Sequence, residues 1–116
     1  QFWIMVGDGE MARRRPERAL AAYRRAQALN SNDRIGKNRL WRTLAQLGQF
    51  GRAYHQLNAY SRMTPSFAQA ALFQGQLLLQ MGQRNQALEA VERGLRQWPK
   101  NTQLQQLKRR LLSTRY

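Results

Sequence analysis

Few side chains in this sequence are suited to acid–base or metal chemistry. The 116 residues include one histidine, His55, no cysteine, and six Asp and Glu residues in all. A metal site at His55 would need several carboxylates, and none is clustered near it in the sequence. Asp8 and Glu10 are two positions apart, so on a helix they do not share a face. We therefore expect no enzyme activity, no catalytic residue, no cofactor and no metal.

The arginines are the residues whose number and spacing suggest a partner. Lys and Arg total 20 and give a net charge of +14, which favours acidic or polyanionic partners. Six arginines form a basic patch, namely Arg13, Arg14, Arg15, Arg18, Arg24 and Arg25. Three interpretations stay open: a solvated turn and helix face, a docking surface for an acidic protein, and a phosphate contact. Nucleic acid is not the expected partner, because no aromatic residues are interleaved for base stacking.

The elements that would position these residues recur with a period of 34. Small residues and helix breakers stand in register, namely Ala19, Ala53 and Ala87, then Gly48 and Gly82, then Pro65 and Pro99. Between the breakers, apolar residues follow helical spacing. Gly48 and Gly82 are placed where a helix should end, since glycine accepts the left-handed conformation. The pattern predicts seven helices, at 2–13, 16–29, 34–47, 51–63, 67–81, 85–97 and 102–114.

The same residues carry a resemblance to a known family. Residues 3–7 read Trp-Ile-Met-Val-Gly and match a Trp-x-x-Leu-Gly start. The three alanines match the small residue early in a second helix, and the two prolines match a closing proline. With the 34-residue period, these features resemble the tetratricopeptide repeat (TPR) family. The resemblance implies an all-α fold, an α-solenoid of three helix-turn-helix units with a C-terminal capping helix.

The resemblance also implies a domain organisation. The implied units form a single TPR domain over residues 1–116, with repeats at 1–33, 34–67 and 68–101 and an extra helix at 102–116. Gln1 precedes an apolar stretch without an initiator methionine, so we expect a piece of a longer TPR protein. Six positions depart from the family pattern. Arg14 replaces the glycine between two helices, Trp41 and Tyr60 replace small residues, and the other three are Ser31, Lys37 and Gln74.

In this family the first helix of each hairpin lines a groove that binds other proteins. The resemblance therefore implies a partner-binding groove formed by Met5, Asp8, Asn38, Arg39, Arg42, Gln46, Leu72, Phe73, Gln76 and Leu79. Some relatives grip the acidic tail of a chaperone with a lysine and asparagine clamp. The clamp positions here hold Ile4, Asp8, Asn38, Arg42, Leu72 and Gln76. We therefore do not expect binding of a chaperone tail.

One further resemblance suggests a cellular role. The cysteine-free, Arg/Gln/Ala/Leu-rich texture, as in residues 15–26, is similar to the periplasmic TPR region of Pel-type exopolysaccharide export porins of Gram-negative bacteria. The resemblance implies a non-catalytic scaffold in the periplasm, within an outer-membrane parent protein. The scaffold would recruit a polysaccharide deacetylase or hydrolase during biofilm matrix secretion and could contact the exopolysaccharide. The chain itself has no apolar run near the roughly 20 residues that cross a bilayer.

Two other possibilities remain at this point. The chain could be a basic TPR module that binds a polyanion, either nucleic acid or an acidic glycan, or an acidic protein partner in the cytoplasm. Steep salt dependence would indicate a polyanion binder. In addition, the apolar face at Trp3 and Val6 predicts end-to-end self-association of the chain.

Overall fold

The computed structural model describes residues 2–65 and 67–113, and in these ranges it contains helices and no strand. The seven helices are α1 (Phe2–Ala12), α2 (Pro16–Leu29), α3 (Arg34–Gln46), α4 (Phe50–Met63), α5 (Ala70–Gln80), α6 (Arg84–Gln97) and α7 (Thr102–Ser113). The all-α prediction is confirmed, and every observed helix end lies within three residues of the predicted one. The largest difference is at α5, which begins at Ala70 and not at residue 67. There the Ala70 amide donates to the Phe67 carbonyl at 3.2 Å, an i to i+3 bond tighter than an α-helical one.

The chain divides into two compact units, Gln1–Thr64 and Pro65–Tyr116. Unit 1 contains α1 to α4, and unit 2 contains α5 to α7. These units follow the packing of the helices and not the sequence period, so the repeat limits after residues 33, 67 and 101 stay a prediction.

In unit 1, α1 packs on α2, α2 on α3, and α3 on α4. Small residues bring the paired helices close together: Ala19 and Ala53 have no exposed surface, and a Cβ atom at Gly7 would overlap the ring of Tyr23. Tyr23 is itself only 1% exposed. Ala19 and Ala53, which recur with the 34-residue period, therefore lie in the core of this unit, where small side chains let two helices approach closely.

In unit 2, α6 packs on both α5 and α7, and α5 also meets α7. A Cβ atom at Gly75 would lie 2.8 Å from Cγ2 of Val91 and 3.1 Å from Cδ2 of Leu107. Gly94 faces Ala71 and Leu104 with as little room. Because side chains of α7 close over Gly75 and Gly94, α7 is part of the core of this unit and does more than cover one end of it.

Three turns between helices share one backbone conformation. Arg14, Gly48 and Gly82 have φ of 59°, 78° and 76°, and each is the left-handed residue that ends a first helix. In each turn the next amide reaches back to the carbonyl five residues earlier at 2.9 Å, as from Arg15 to Glu10. The prediction for Gly48 and Gly82 is confirmed. At Arg14 the same turn is built with a side chain, at a cost of about 1–2 kcal/mol for a left-handed non-glycine residue.

Two of the helices, α3 and α7, begin with a capping side chain. Asp33 accepts a hydrogen bond from the Ile35 amide at 3.1 Å, and Asn101 accepts one from the Leu104 amide at 3.0 Å. Pro16 is the first residue of α2, where its missing N–H group costs nothing.

Candidate protein-interaction surface

The predicted groove residues of unit 1 include a charged pair that joins two helices. Arg39 on α3 donates from Nε to Oδ1 of Asp8 on α1 at 2.9 Å, and from Nη2 to Oδ2 at 3.3 Å. The hydroxyl of Tyr23, on α2, donates to the same Oδ1 at 2.5 Å. Asp8 therefore holds three helices together through a two-pronged arginine contact and a tyrosine.

The electrostatics of this cluster fix its charge state. The hydrogen bonds from Arg39 hold the pKa of the Asp8 carboxyl below its usual value, while burial acts against them and the hydrogen bond from Tyr23 adds to them. Burial and the adjacent Asp8 carboxylate raise the pKa of the Tyr23 hydroxyl far above its usual value. Asp8 is thus ionised and Tyr23 neutral at physiological pH. The positive charge that Arg39 would offer a partner is compensated by Asp8.

Arg42 is the groove arginine of unit 1 that remains exposed. Its Nε donates to Oδ1 of Asn38 at 3.1 Å, and its guanidinium carbon lies 4.9 Å from the centre of the Trp41 ring. The indole Nε1 of Trp41 donates to the same Asn38 oxygen at 2.9 Å. The guanidinium is therefore held in one orientation while facing solvent.

Trp41 is one of the residues that depart from the family pattern. It stands in register with Gly7 and Gly75, yet its side chain is only 3% exposed. Its N–H group has a partner in Asn38, so burial leaves no unsatisfied donor there. The α3–α4 hairpin accommodates a large residue where the hairpins of α1 and α5 use glycine.

The ten predicted groove residues differ in accessibility. Met5, Arg42, Gln46 and Gln76 are exposed, Asp8, Asn38, Arg39, Phe73 and Leu79 are half-buried, and Leu72 is buried. Leu72 is therefore mainly a core residue, with 6% of its surface exposed. Phe73 stacks on Phe67, with ring centres 6.1 Å apart. The predicted groove residues of unit 1 include the charged side chains of Asp8, Arg39 and Arg42, whereas those of unit 2 are apolar apart from Gln76.

In unit 2, two of the four predicted groove residues, Leu72 and Gln76, line a cavity between α5 and α7, whereas Phe73 and Leu79 do not. The cavity has a volume of about 270 Å³, and Leu72 and Leu107 form its apolar part. Its polar lining consists of Gln76, Gln103, Gln106 and Arg110. Three of these polar residues, Gln103, Gln106 and Arg110, were missed because α7 was interpreted as a cap. The 34-residue register could have identified them, since it aligns Gln106 with Leu72 and Arg110 with Gln76.

The structure places the whole basic patch at the surface. Arg13, Arg14, Arg15, Arg18, Arg24 and Arg25 are all exposed. Two of them have partners: Arg15 lies 3.9 Å from Glu10, and the guanidinium of Arg25 lies 4.8 Å from the centre of the Trp3 ring. An exposed ion pair of that length contributes little to stability. The patch is thus solvated and accessible to an acidic partner.

Two further observations limit the chemistry of the surface. Within residues 2–65 and 67–113, no group of three or more histidine, aspartate or glutamate side chains is placed to hold a metal ion. Within the same ranges, no helix is long and apolar enough to cross a membrane.

Comparison with solved structures identifies the fold. The first TPR domain of Spaghetti (RPAP3), bound to an HSP90 peptide, superposes with a TM-score of 0.78 over 95% of this chain and 87% of that one, at 15% identity. The TPR2B domain of yeast Sti1, in a complex with pHsp70, gives 0.78 over 97% and 95%, at 18% identity. The chain has the tetratricopeptide repeat fold. YrrB, described as a TPR protein with an unusual peptide-binding site, gives 0.79 over 92% of this chain and 55% of that one, at 25% identity.

The TPR comparison establishes the architecture. No family model matches the sequence, and no curated protein matches it. The similar TPR structures include domains bound to HSP90 and HSP70 peptides. At 15–18% identity to those domains, the likeness extends to the fold and not to a particular ligand.

Proposed function

We propose that this chain is a non-catalytic scaffold that binds an extended segment of a partner protein in the cavity between α5 and α7. The supporting observation is the lining of that cavity, with an apolar floor at Leu72 and Leu107 and a wall rich in glutamine. An extended backbone presents N–H and C=O groups in alternation. A glutamine amide both donates and accepts, so Gln76 and Gln106 can pair with either group.

We further propose that the partner is a polysaccharide deacetylase or hydrolase and that the parent protein is a Pel-type export porin with this region in the periplasm. The sequence texture of residues 15–26 and the absence of cysteine support this role. Contact with the exopolysaccharide during secretion is part of the same proposal.

Binding of the chain to the exopolysaccharide deacetylase, measured by biolayer interferometry at physiological salt, tests the proposal. Gln76→Ala with Gln106→Ala should weaken binding about tenfold, because each lost hydrogen bond is worth about 0.5–1.5 kcal/mol. Both side chains are exposed, so the fold should be kept. The matched control is Gln86→Ala with Gln97→Ala, two exposed glutamines on α6 that should change binding less than twofold.

The same experiment separates the scaffold from the polyanion alternative. Duplex DNA is measured in parallel, over a range of salt concentrations. Saturable and salt-tolerant binding to the enzyme supports the scaffold. Binding to DNA alone, with a steep loss between low and physiological salt, would replace the scaffold by the polyanion module that the exposed arginines favour.

Self-association is proposed for the apolar end of unit 1. Phe2, Met5, Leu29 and Ile35 are between 52% and 77% exposed. Phe2 and Leu29 line one surface cavity, and exposed apolar side chains favour burial against another molecule. Multi-angle light scattering should show a mass that rises with concentration and returns to that of a monomer in Phe2→Ser with Leu29→Ser. A constant monomer mass at millimolar concentration would contradict this proposal.

A further inference from the structure

A second cavity lies in unit 1, between α2, α3 and α4. It has a volume of about 270 Å³, and none of the predicted groove residues lines it. Leu40 and Leu44 form its floor, and they are 5% and 2% exposed. Successive side chains on a helix turn by about 100°, so these leucines point away from Asn38 and Arg42, which lie two positions earlier. The cavity therefore opens on the side of α3 opposite to the groove residues.

The edge of this cavity is basic. Arg24 reaches it from α2, and Arg52 and His55 reach it from α4. All three side chains are exposed. Arg52 also donates from Nη1 to Oε1 of Gln49 at 3.3 Å. Among the described residues that line the cavity there is no aspartate or glutamate, so the apolar floor is surrounded by positive and polar groups.

The size and polarity of the cavity define what would fill it. Its volume is just below the roughly 300–1,000 Å³ typical of small-molecule sites, which suits one large side chain of a protein better than a cofactor. An apolar side chain would cover Leu40 and Leu44. Carboxylates on either side of that side chain would meet the guanidinium groups of Arg24 and Arg52, which bind carboxylates in a forked geometry.

We propose that this cavity is a second docking site, for an acidic segment of a partner protein in which a large apolar residue is flanked by carboxylates. The site requires neither the α5–α7 cavity nor a particular cellular role. It assigns a function to Arg24 within the basic patch, whereas a uniform polyanion surface would use all six arginines alike. A partner could therefore contact the chain at two separate sites, with different chemistry at each.

The test uses fluorescence anisotropy of the full chain with a labelled peptide that has one phenylalanine between pairs of glutamates, EEFEE. The cavity variant is Arg24→Glu with Arg52→Glu. The control is Arg13→Glu with Arg18→Glu, which changes the net charge equally on exposed residues outside the cavity. At physiological salt the cavity variant should bind about tenfold more weakly than the control, since two exposed charge pairs are together worth about 1–2 kcal/mol.

Two more measurements make the outcome decisive. The peptide EEGEE should bind at least fivefold more weakly than EEFEE, and EEFEE should shift the methyl NMR signals of Leu40 and Leu44 but not those of Leu72 and Leu107. Equal weakening in both arginine variants would reduce the site to general charge attraction. Equal binding of the two peptides, shifts confined to Leu72 and Leu107, or no binding of EEFEE at millimolar concentration would each overturn the proposal.

Discussion

Two helix crossings in this molecule occupy equivalent sequence positions and are closed by different chemistry. Both are built around a glycine, Gly7 in unit 1 and Gly75 in unit 2, two periods of 34 residues apart. Over Gly7 lies Tyr23, which joins Asp8 and Arg39 in a hydrogen-bonded cluster. The crossing in unit 2 is instead covered by two apolar side chains.

Over Gly75 lie Val91 and Leu107, in register with Tyr23 and Arg39. Gln76, in register with Asp8, is exposed. In both units a glycine allows the two helices to approach closely, whereas the side chains that cover the glycine differ between the units. In unit 1 the polar residues stabilise the fold, and in unit 2 the core is apolar and the polar residue faces solvent.

The largest expected effect on stability is at the crossing over Gly75, which we call the apolar crossing; the crossing over Gly7 is the polar crossing. Leu107→Ala should lower the free energy of unfolding by about 2–4 kcal/mol, because Leu107 is only 6% exposed and its removal leaves a cavity beside Gly75. Leu112→Ala on the same helix, at a residue 49% exposed, is the control and should cost well under half as much. Urea titration followed by circular dichroism measures both. Equal losses would mean that α7 does not close the core of unit 2.

The glycine of the polar crossing gives the next largest effect. Gly7→Ala should destabilise the chain by about 1–3 kcal/mol, because the added Cβ atom would overlap the Tyr23 ring. Gly9→Ala in the same helix should have the opposite sign and stabilise by about 0.5–1 kcal/mol, since nothing lies within 4 Å of its Cβ position. Thermal and urea unfolding of the two variants would decide. A stabilised Gly7→Ala variant would show that the crossing does not depend on this glycine.

The turns after the two crossings also differ, with Arg14 in register with Gly82. Arg14→Gly should stabilise the chain by about 1 kcal/mol, because φ at this residue is 59° and glycine takes that conformation without the side-chain cost. The reverse change, Gly82→Arg, should destabilise by a similar amount. Unfolding midpoints in urea measure both changes. A loss of stability in Arg14→Gly would indicate that the arginine side chain contributes more than its backbone costs.

The smallest expected effect is the pH dependence of the polar crossing. The pKa of Asp8 is lowered in the folded chain, so its contribution is complete above its unfolded pKa of about 3.9 and is lost as pH falls through the folded value. Asp8→Asn should therefore be less stable than the parent chain at pH 7, by no more than about 1 kcal/mol because the pair is partly exposed. The difference should shrink in acid, as the pH falls through the lowered pKa of Asp8.

The control for this prediction is Glu89→Gln, an exposed carboxylate in the middle of α6. The stability of this variant should follow that of the parent chain both at pH 7 and in acid. If Asp8→Asn matched the parent chain at pH 7, the Asp8–Arg39 pair would have no stabilising role.

The site was less accessible to prediction from the sequence than the fold. Leu72 and Gln76, both predicted as groove residues, line the cavity of unit 2, because residues four apart share a helix face. It could not indicate that Leu72 would be mostly buried, since burial depends on how closely α7 approaches. The repeat register predicts Arg39 as a positively charged groove residue, and nothing in the sequence indicates that Asp8 compensates this charge.

The sequence alone determined the helices, their ends and the 34-residue period. These depend on short-range properties: apolar spacing, capping side chains such as Asp33, and left-handed glycines at turns. Tertiary structure alone decided which polar groups meet. Asp8, Tyr23 and Arg39 come from three helices, with separations of 15 and 31 residues, and any of 20 basic residues could have been the partner of that carboxylate. Only the packing of α1, α2 and α3 selects Arg39, because an ion pair forms where side chains are brought within reach.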